Sequence, residues 1–218
     1  MTFNDGYLTL IPGYWAILPA IPVAIWILRR GADRHWTLMA LLALAHVTAV
    51  VGLTIFPIPI AGQDFYRQTR GFSEDNVVPF ATIASQLLAL VPVHHSLIQS
   101  LHMLGELIGN MLVLGPLAIY GPALWPGLRR WRRFAIAAIA FSAGIELAQL
   151  AGSLLEGFTY RVTDIDDVIL NSTGAVASFF IWRELEARGL IDRWLRRWAE
   201  PRADRSPEPS PKPVVPEN

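Results

Sequence analysis

Three carboxylates, Asp164, Asp166 and Asp167, begin an apolar stretch in RVTDIDDVILNSTG, residues 161–174. If the stretch is helical, one face collects the residues that recur at steps of three and four, namely Asp164, Asp167, Asn171, Gly174 and Ser178. Carboxylates in this arrangement could act as general acid or base, or could ligate a divalent cation. The stretch is therefore the first candidate for a functional site.

Helix capping is the simplest structural alternative for these aspartates. Thr163, followed three residues later by Asp166, resembles a capping box, and acidic residues in a first helical turn interact favourably with the helix dipole. Capping explains one or two of the carboxylates. It does not explain the third, nor Asn171, which would lie about 6 Å deeper along the helix than Asp167. Both interpretations remain open at this stage.

Two further apolar stretches carry polar residues at helical spacing. His102, Glu106 and Asn110 form one stripe, and Ser142, Glu146, Gln149 and Ser153 form another. An ionisable residue at the centre of a membrane span costs about 2.5–3.5 kcal/mol and is a functional candidate by default. The alternative for Glu106 and Glu146 is a protonated carboxyl group that joins neighbouring helices by hydrogen bonds.

We assign candidate roles from this clustering. The candidate catalytic residues are Glu146, Asp164, Asp166 and Asp167, and the candidate substrate-binding residues are Glu106, Asn110, Gln149, Arg161 and Asn171. Bare carboxylates repel phosphate, so a phosphate-containing substrate would require Mg²⁺ or Ca²⁺, with the three aspartates as ligands. His94, His95 and His102 match no recognised zinc spacing and are weaker metal candidates.

Composition indicates a membrane protein. Of 218 residues, 53% are hydrophobic and only 17% are charged, against about a quarter in soluble domains. The net charge is zero, so no basic surface argues for binding to nucleic acid. The absence of cysteine excludes disulfides, thiolate metal sites and a cysteine nucleophile.

Hydropathy predicts an all-α, multi-pass membrane helical bundle with about five transmembrane helices. The apolar segments are 11–28, 37–60, 101–124, 134–155 and 167–182, the last being short for a span of about 20 residues. With the N-terminus outside and the C-terminus cytoplasmic, fifteen of the eighteen Lys and Arg residues fall on the cytoplasmic side. The first segment lacks signal-peptide features and is expected to remain as a span. On this orientation every strong polar group except Ser142 and Ser178 lies in the outer half of the membrane.

The chain divides into four predicted regions. Residues 1–35 form an N-terminal helix and loop, and residues 36–182 form the main membrane domain. Within that domain, residues 81–100 are apolar but too short to span, which favours a helix in the outer interface. Residues 183–200 are typical of a cytoplasmic amphipathic helix, and the proline-rich residues 201–218 of a disordered tail.

Four motifs in this order resemble the VanZ-like family of bacterial membrane proteins. They are NVVPF at 76–80, GNMLVLGPL at 109–117, IELAQ at 145–149 and RVTDIDDVILNSTG at 161–174. The family pattern picks out Asn76, Pro79, Gly109, Asn110, Pro116, Glu146, Gln149, Asp164, Asp166, Asp167, Asn171 and Gly174. Leu114 and Ala118 stand where the family usually has phenylalanine and glycine.

The resemblance implies a multi-pass protein of the bacterial inner membrane that is connected with the cell envelope. It also implies a link to lowered susceptibility to glycopeptides such as teicoplanin, and it adds Asn76 to the candidate substrate-binding residues. We therefore expect an outward-facing acidic site that binds or modifies a lipid-linked cell-wall precursor or a lipid headgroup.

Two other functions remain open. An ion- or proton-coupled transporter would use Glu106, Glu146 and the aspartates as a relay, but it also needs a polar route through the inner half, where few polar residues occur. A structural or adaptor protein would use the same cluster only to hold its helices together. Neither the composition nor the spacing decides whether the chain is an enzyme.

Overall fold

The computed structural model describes residues 9–61, 75–89 and 97–191, and its architecture is all-α as predicted. The helices are α1 Ile17–Arg29, α2 Arg34–Thr54, α3 Ala81–Ala89, α4 Leu97–Val113, α5 Leu117–Leu124, α6 Trp131–Glu156 and α7 Ile165–Ala187. Short 3₁₀ turns, Gly13–Ala16 and Pro126–Arg129, precede α1 and α6. The chain separates into two compact units, Met1–Phe180 and Ile181–Asn218.

Three helical stretches in the described residues are long and apolar enough to cross a membrane. They are Arg34–Thr54, Leu97–Leu124 and Trp131–Glu156, which correspond to the second, third and fourth predicted spans. Gly13–Arg29 is a shorter apolar helix. The fifth predicted segment lies within α7, which carries charged residues near both of its ends. The structure thus supports three spans, and the prediction of about five is not confirmed.

Two of the predicted spans are interrupted by proline. The second was expected to continue to residue 60, but α2 ends at Thr54 ahead of Pro57, since proline cannot continue the amide hydrogen-bond ladder. Ile58–Ala61 instead forms a strand, β2, that pairs antiparallel with Thr9–Ile11, β1. The third predicted span breaks at Pro116 into α4 and α5 for the same reason.

The predicted interfacial helix at 81–100 also differs from the structure. Its first part is α3, its last residues already belong to α4, and residues 90–96 lie outside the described part of the chain. The predicted amphipathic helix at 183–200 begins within α7, but residues 192–200 and the tail at 201–218 likewise lie outside the described residues.

The interface between α6 and α7 is polar at one end and apolar at the other. A single face of α6 buries Phe134, Ala138, Ser142, Glu146, Gln149 and Ser153, at steps of three or four residues. Phe134 stacks on Phe179 of α7 with ring centroids 4.6 Å apart. Ala138 and Ala175 are also fully buried. The aromatic stack and the two alanines close the end of the interface that lies away from the carboxylates.

A histidine–tyrosine pair joins α2 to α4 and α5. His46 Nε2 lies 2.7 Å from the carbonyl oxygen of Val113, and His46 Nδ1 lies 2.8 Å from the hydroxyl of Tyr120. A carbonyl can only accept, so Nε2 carries the proton, and in the neutral imidazole Nδ1 accepts from the tyrosine. His46 therefore has a structural role.

Glycines allow two pairs of helical segments to approach at backbone distance. A Cβ built on Gly174 of α7 would lie 1.7 Å from the carbonyl oxygen of Met111 on α4. A Cβ on Gly13 would similarly lie 2.4 Å from the carbonyl oxygen of Gly52 on α2. The contact at Gly174 fixes how closely α4, with its polar residues, lies against the aspartate-bearing helix.

We predict that Gly174→Ala destabilises the protein by on the order of 3 kcal/mol, because the methyl group would overlap a backbone atom that cannot move aside without displacing α4. Thermal unfolding of the detergent-solubilised protein measures the effect. Gly144→Ala is the matched control, since a Cβ on Gly144 meets nothing within 4 Å. That control should be neutral or stabilising by about 0.5–1 kcal/mol. Equal melting temperatures for the two variants would contradict the close approach.

Candidate functional site

Asp164 caps the amino end of α7. Its Oδ1 accepts a hydrogen bond of 2.8 Å from the backbone N–H of Asp166, which is the second residue of the helix. The expected capping residue was Thr163, but the hydroxyl of Thr163 is buried without a partner in the described residues. The backbone N–H of Thr163 instead donates to Asp75 Oδ1 over 2.8 Å. Capping of α7 therefore accounts for one aspartate, and the cap lies one residue later than predicted.

The segment around Asn76 is hydrogen-bonded to residues 163–165, which form this cap. Its backbone forms a short parallel bridge, in which Asn76 N donates to the Thr163 carbonyl and Ile165 N donates to the Asn76 carbonyl, both over 2.9 Å. The side-chain amide of Asn76 donates to Asp164 Oδ1 over 2.8 Å. Thr82 Oγ1 donates to Asp164 Oδ2 over 2.6 Å. Sequence reasoning missed Thr82, because a single threonine in an apolar stretch gives no signal.

Asp166 caps a different helix, α3. One of its oxygens accepts from the N–H of Phe80, and the other accepts from the N–H of Ile83 over 3.0 Å. Phe80 has φ of +69°, a left-handed conformation that is unfavourable for phenylalanine and must be held by its surroundings. Asp166 is fully buried. Its contacts suit positioning of α3, and its predicted catalytic role remains a prediction.

Glu146 and Asp167 each keep one carboxylate oxygen without a donor in the described residues. Glu146 Oε2 accepts from the backbone N–H of Asp164 over 2.8 Å. Asp167 Oδ1 accepts from the side-chain amide of Asn110. No donor within residues 9–61, 75–89 and 97–191 bonds to Glu146 Oε1 or Asp167 Oδ2. Glu146 is only 6% exposed, whereas Asp167 is half-buried.

Asn171 lies one helical turn below Asp167 and bridges to α6. Its amide nitrogen donates to Ser142 Oγ over 3.0 Å, and Ser142 lies one turn below Glu146. Asn171 is 4% exposed, and its Oδ1 has no hydrogen-bond donor in the described residues. Beneath this pair the interface becomes apolar, with Ala138, Ala175 and the stacked phenylalanine rings.

Glu106 lies at the exposed end of the polar residues. Gln86 of α3 donates to its Oε2 over 3.1 Å, and His102 Nε2 lies 3.2 Å from its Oε1. The side chains of His102 and Glu106 are 77% and 50% exposed. Asn110, one turn further along α4, connects this exposed pair to Asp167. Polar groups thus run from the exposed Glu106 to the buried Glu146.

Gln149 and Arg161 close the carboxyl end of α2. Gln149 Nε2 donates to the Thr54 carbonyl over 2.9 Å, and Arg161 donates to the carbonyls of Leu53, over 3.2 Å, and Phe56. The hydroxyl of Tyr160 donates to the next carbonyl, that of Ile55, over 3.2 Å. The last carbonyls of a helix lack partners within it, so these side chains satisfy them. Substrate binding by Gln149 and Arg161 remains a prediction, beside this structural role.

The three aspartates do not converge on one point. In the part of the chain that the structure describes, no group of three His, Asp or Glu side chains is arranged to hold a metal ion. Each aspartate has its own partners: Asp164 caps α7, Asp166 accepts from two amides at the start of α3, and Asp167 accepts from Asn110. His94 and His95 lie outside the described residues. The conditional expectation that Asp164, Asp166 and Asp167 together ligate Mg²⁺ or Ca²⁺ therefore gains no support from their geometry.

Long apolar helices around a buried, hydrogen-bonded acidic cluster define an all-α membrane protein. Residues 43–187 match the model of the VanZ/LLP1 family, and the chain belongs to that family. No curated protein and no solved structure matches the chain. The resemblance inferred from the four motifs is confirmed.

We predict that Asp166→Asn destabilises the protein by about 2–3 kcal/mol, because asparagine offers one acceptor where α3 requires two, and its amide would face an N–H group. Thermal unfolding and hydrogen exchange at the amides of Phe80 and Ile83 measure the loss. The matched change Asp167→Asn keeps an acceptor for Asn110 and should cost less than about 1 kcal/mol. Unchanged exchange at Phe80 and Ile83 in Asp166→Asn would show that Asp166 is not the cap of α3.

Proposed function

We propose that this VanZ-like membrane protein binds the polar headgroup of a cell-envelope amphiphile, either a lipid-linked cell-wall precursor or a membrane lipid. The observation that carries the proposal is the pair of open carboxylate oxygens, Glu146 Oε1 and Asp167 Oδ2, which have no donor in the described residues. A carboxylate oxygen is a strong hydrogen-bond acceptor, above all for a charged donor. A ligand that donates hydrogen bonds would satisfy both oxygens.

The surrounding polar residues support the proposal because they position the helices, which leaves Glu146 and Asp167 to bind the ligand. Asp164, Asn76 and Thr82 bond to one another and to backbone groups, which fixes where α3, α6 and α7 meet. Their second role would be to hold Glu146 and Asp167 in place before the ligand arrives. A site held rigid by its neighbours loses less entropy on binding than one that must be ordered.

The access route also favours binding over transport. Polar groups run from Glu106 through Asn110 to Asp167, and they end at Asn171. Beyond them the α6–α7 interface is closed by the Phe134–Phe179 stack. On the predicted orientation the open end faces the outside of the cell, where envelope headgroups lie. A carboxylate there is also placed to take a proton from a bound hydroxyl, which is the chemistry that modification of the headgroup would require.

We predict that Glu146→Gln and Asp167→Asn abolish function with little loss of stability, because each retains an acceptor for its existing partner while losing the charge at the open oxygen. The measurement is the susceptibility to teicoplanin and vancomycin of a host that expresses the wild type or each variant, with membrane levels and melting temperatures determined in parallel. The wild type should protect and both variants should not.

Glu184→Gln is the control for this comparison, since Glu184 is an exposed residue that pairs only with Arg188 at 2.7 Å in the described structure. It should protect as the wild type does. Full protection by Glu146→Gln and Asp167→Asn at normal membrane levels would exclude the open carboxylates as the functional site. If Asp164→Asn alone lost protection, together with its stability, a purely structural role for the cluster would be the better explanation.

A further inference from the structure

Three acceptor oxygens on α6 and α7 lack donors in the described residues. They are Glu146 Oε1, Asp167 Oδ2 and Asn171 Oδ1. The first two belong to carboxylates that already use their other oxygen. The third belongs to a side chain that is only 4% exposed, so bulk water does not satisfy it. All three can therefore accept hydrogen bonds from a ligand.

The placement of the three oxygens follows from the helical repeat. Glu146 lies one turn above Ser142 on α6, and Asp167 lies one turn above Asn171 on α7, in each case about 6 Å along the axis. The bond from Asn171 Nδ2 to Ser142 Oγ, 3.0 Å long, crosses between the two helices. Asn171 therefore lies about one helical turn deeper in the α6–α7 interface than Glu146 and Asp167.

Among the described residues, the charges near these three oxygens are predominantly negative. Asp164 and Asp166 lie beside them, and Glu106 lies towards the exposed end. Among the nearby basic groups, Arg161 donates to carbonyls at the end of α2, and His102 is paired with Glu106. In a low-dielectric environment, such an excess of carboxylates creates a potential that attracts a positively charged ligand.

We propose that the bound headgroup carries a primary ammonium group, which would sit between Glu146, Asp167 and Asn171 and donate one N–H to each. This inference rests on the proposed function and specifies its ligand. An –NH₃⁺ group has three donors and no acceptor, which matches three acceptors without donors. A quaternary ammonium lacks the N–H groups, and a hydroxylated headgroup lacks the charge. The ammonium could come from an aminoethyl phospholipid or from an amino sugar of a lipid-linked precursor.

The test uses the full chain in lipid nanodiscs that contain equal amounts of phosphatidylethanolamine, phosphatidylcholine and phosphatidylglycerol. Native mass spectrometry after detergent release counts the retained lipids. A second arm compares displacement of the retained lipid by glucosamine and by glucose, with and without EDTA. We expect a preference of about tenfold in one of the two arms, either for phosphatidylethanolamine over phosphatidylcholine or for glucosamine over glucose. A single hydrogen bond to a charged group contributes about that factor.

The variants link the preference to the site. Asp167→Asn and Asn171→Leu should each reduce the preference about tenfold, and Glu184→Gln should leave it unchanged.

Preference for phosphatidylethanolamine identifies a phospholipid ammonium, and preference for glucosamine identifies an amino sugar. Retention that depends on Asp167 without any preference for amines overturns the ammonium inference but leaves headgroup binding intact. Retention that requires a divalent cation and ignores amines overturns it in favour of a metal site. Retention independent of Asp167 overturns both proposals.

Discussion

The rest of the site depends on one constraint, which is that the backbone N–H and the carboxylate of Asp164 must all find hydrogen-bond partners. Its backbone N–H donates to Glu146, and its carboxylate accepts from Asn76, from Thr82 and from the amide of Asp166. One residue thus joins α3, α6, α7 and the segment before α3. In an apolar environment each of these groups would carry a large penalty if left unpaired, so the four parts of the chain are held in a single arrangement.

The same requirement shapes three helix ends. Side chains from elsewhere in the chain close the carboxyl end of α2, through Gln149 and Arg161, and the amino end of α3, through Asp166. Asp164 closes the amino end of α7 from within. Buried helix ends need such partners because their last backbone groups have none within the helix. Much of the polar cluster is therefore structural. The few acceptor atoms that bond to no helix end are the ones that remain for a ligand.

The proposed binding role of Glu146 and Asp167 is compatible with their structural role, because the two roles would use different atoms of the same residues. Glu146 and Asp167 each hold a neighbouring element with one oxygen and leave the other open within the described residues. Gly174 contributes indirectly, since its missing side chain lets α4 approach α7 and brings Asn110 to Asp167. The proposed ligand would thus bind to a site whose position is set before binding, which lowers the entropic cost of association.

The sequence by itself determined the properties that depend on local pattern. Hydropathy predicted about five spans, three of which coincide with membrane-length helices. Helical spacing placed Glu146 and Gln149 on one face of α6, and four motifs identified the family. Tertiary structure alone decided which carboxylates cap helices and which keep an oxygen without a donor in the described residues. Asp166 meets Phe80 across 86 positions, and Asp164 meets Thr82 across 82, so no local pattern reveals these partners. The pairing of β1 with β2 was missed for the same reason. Periodicity indicates whether a residue is buried or exposed, whereas its hydrogen-bond partners depend on contacts between distant segments.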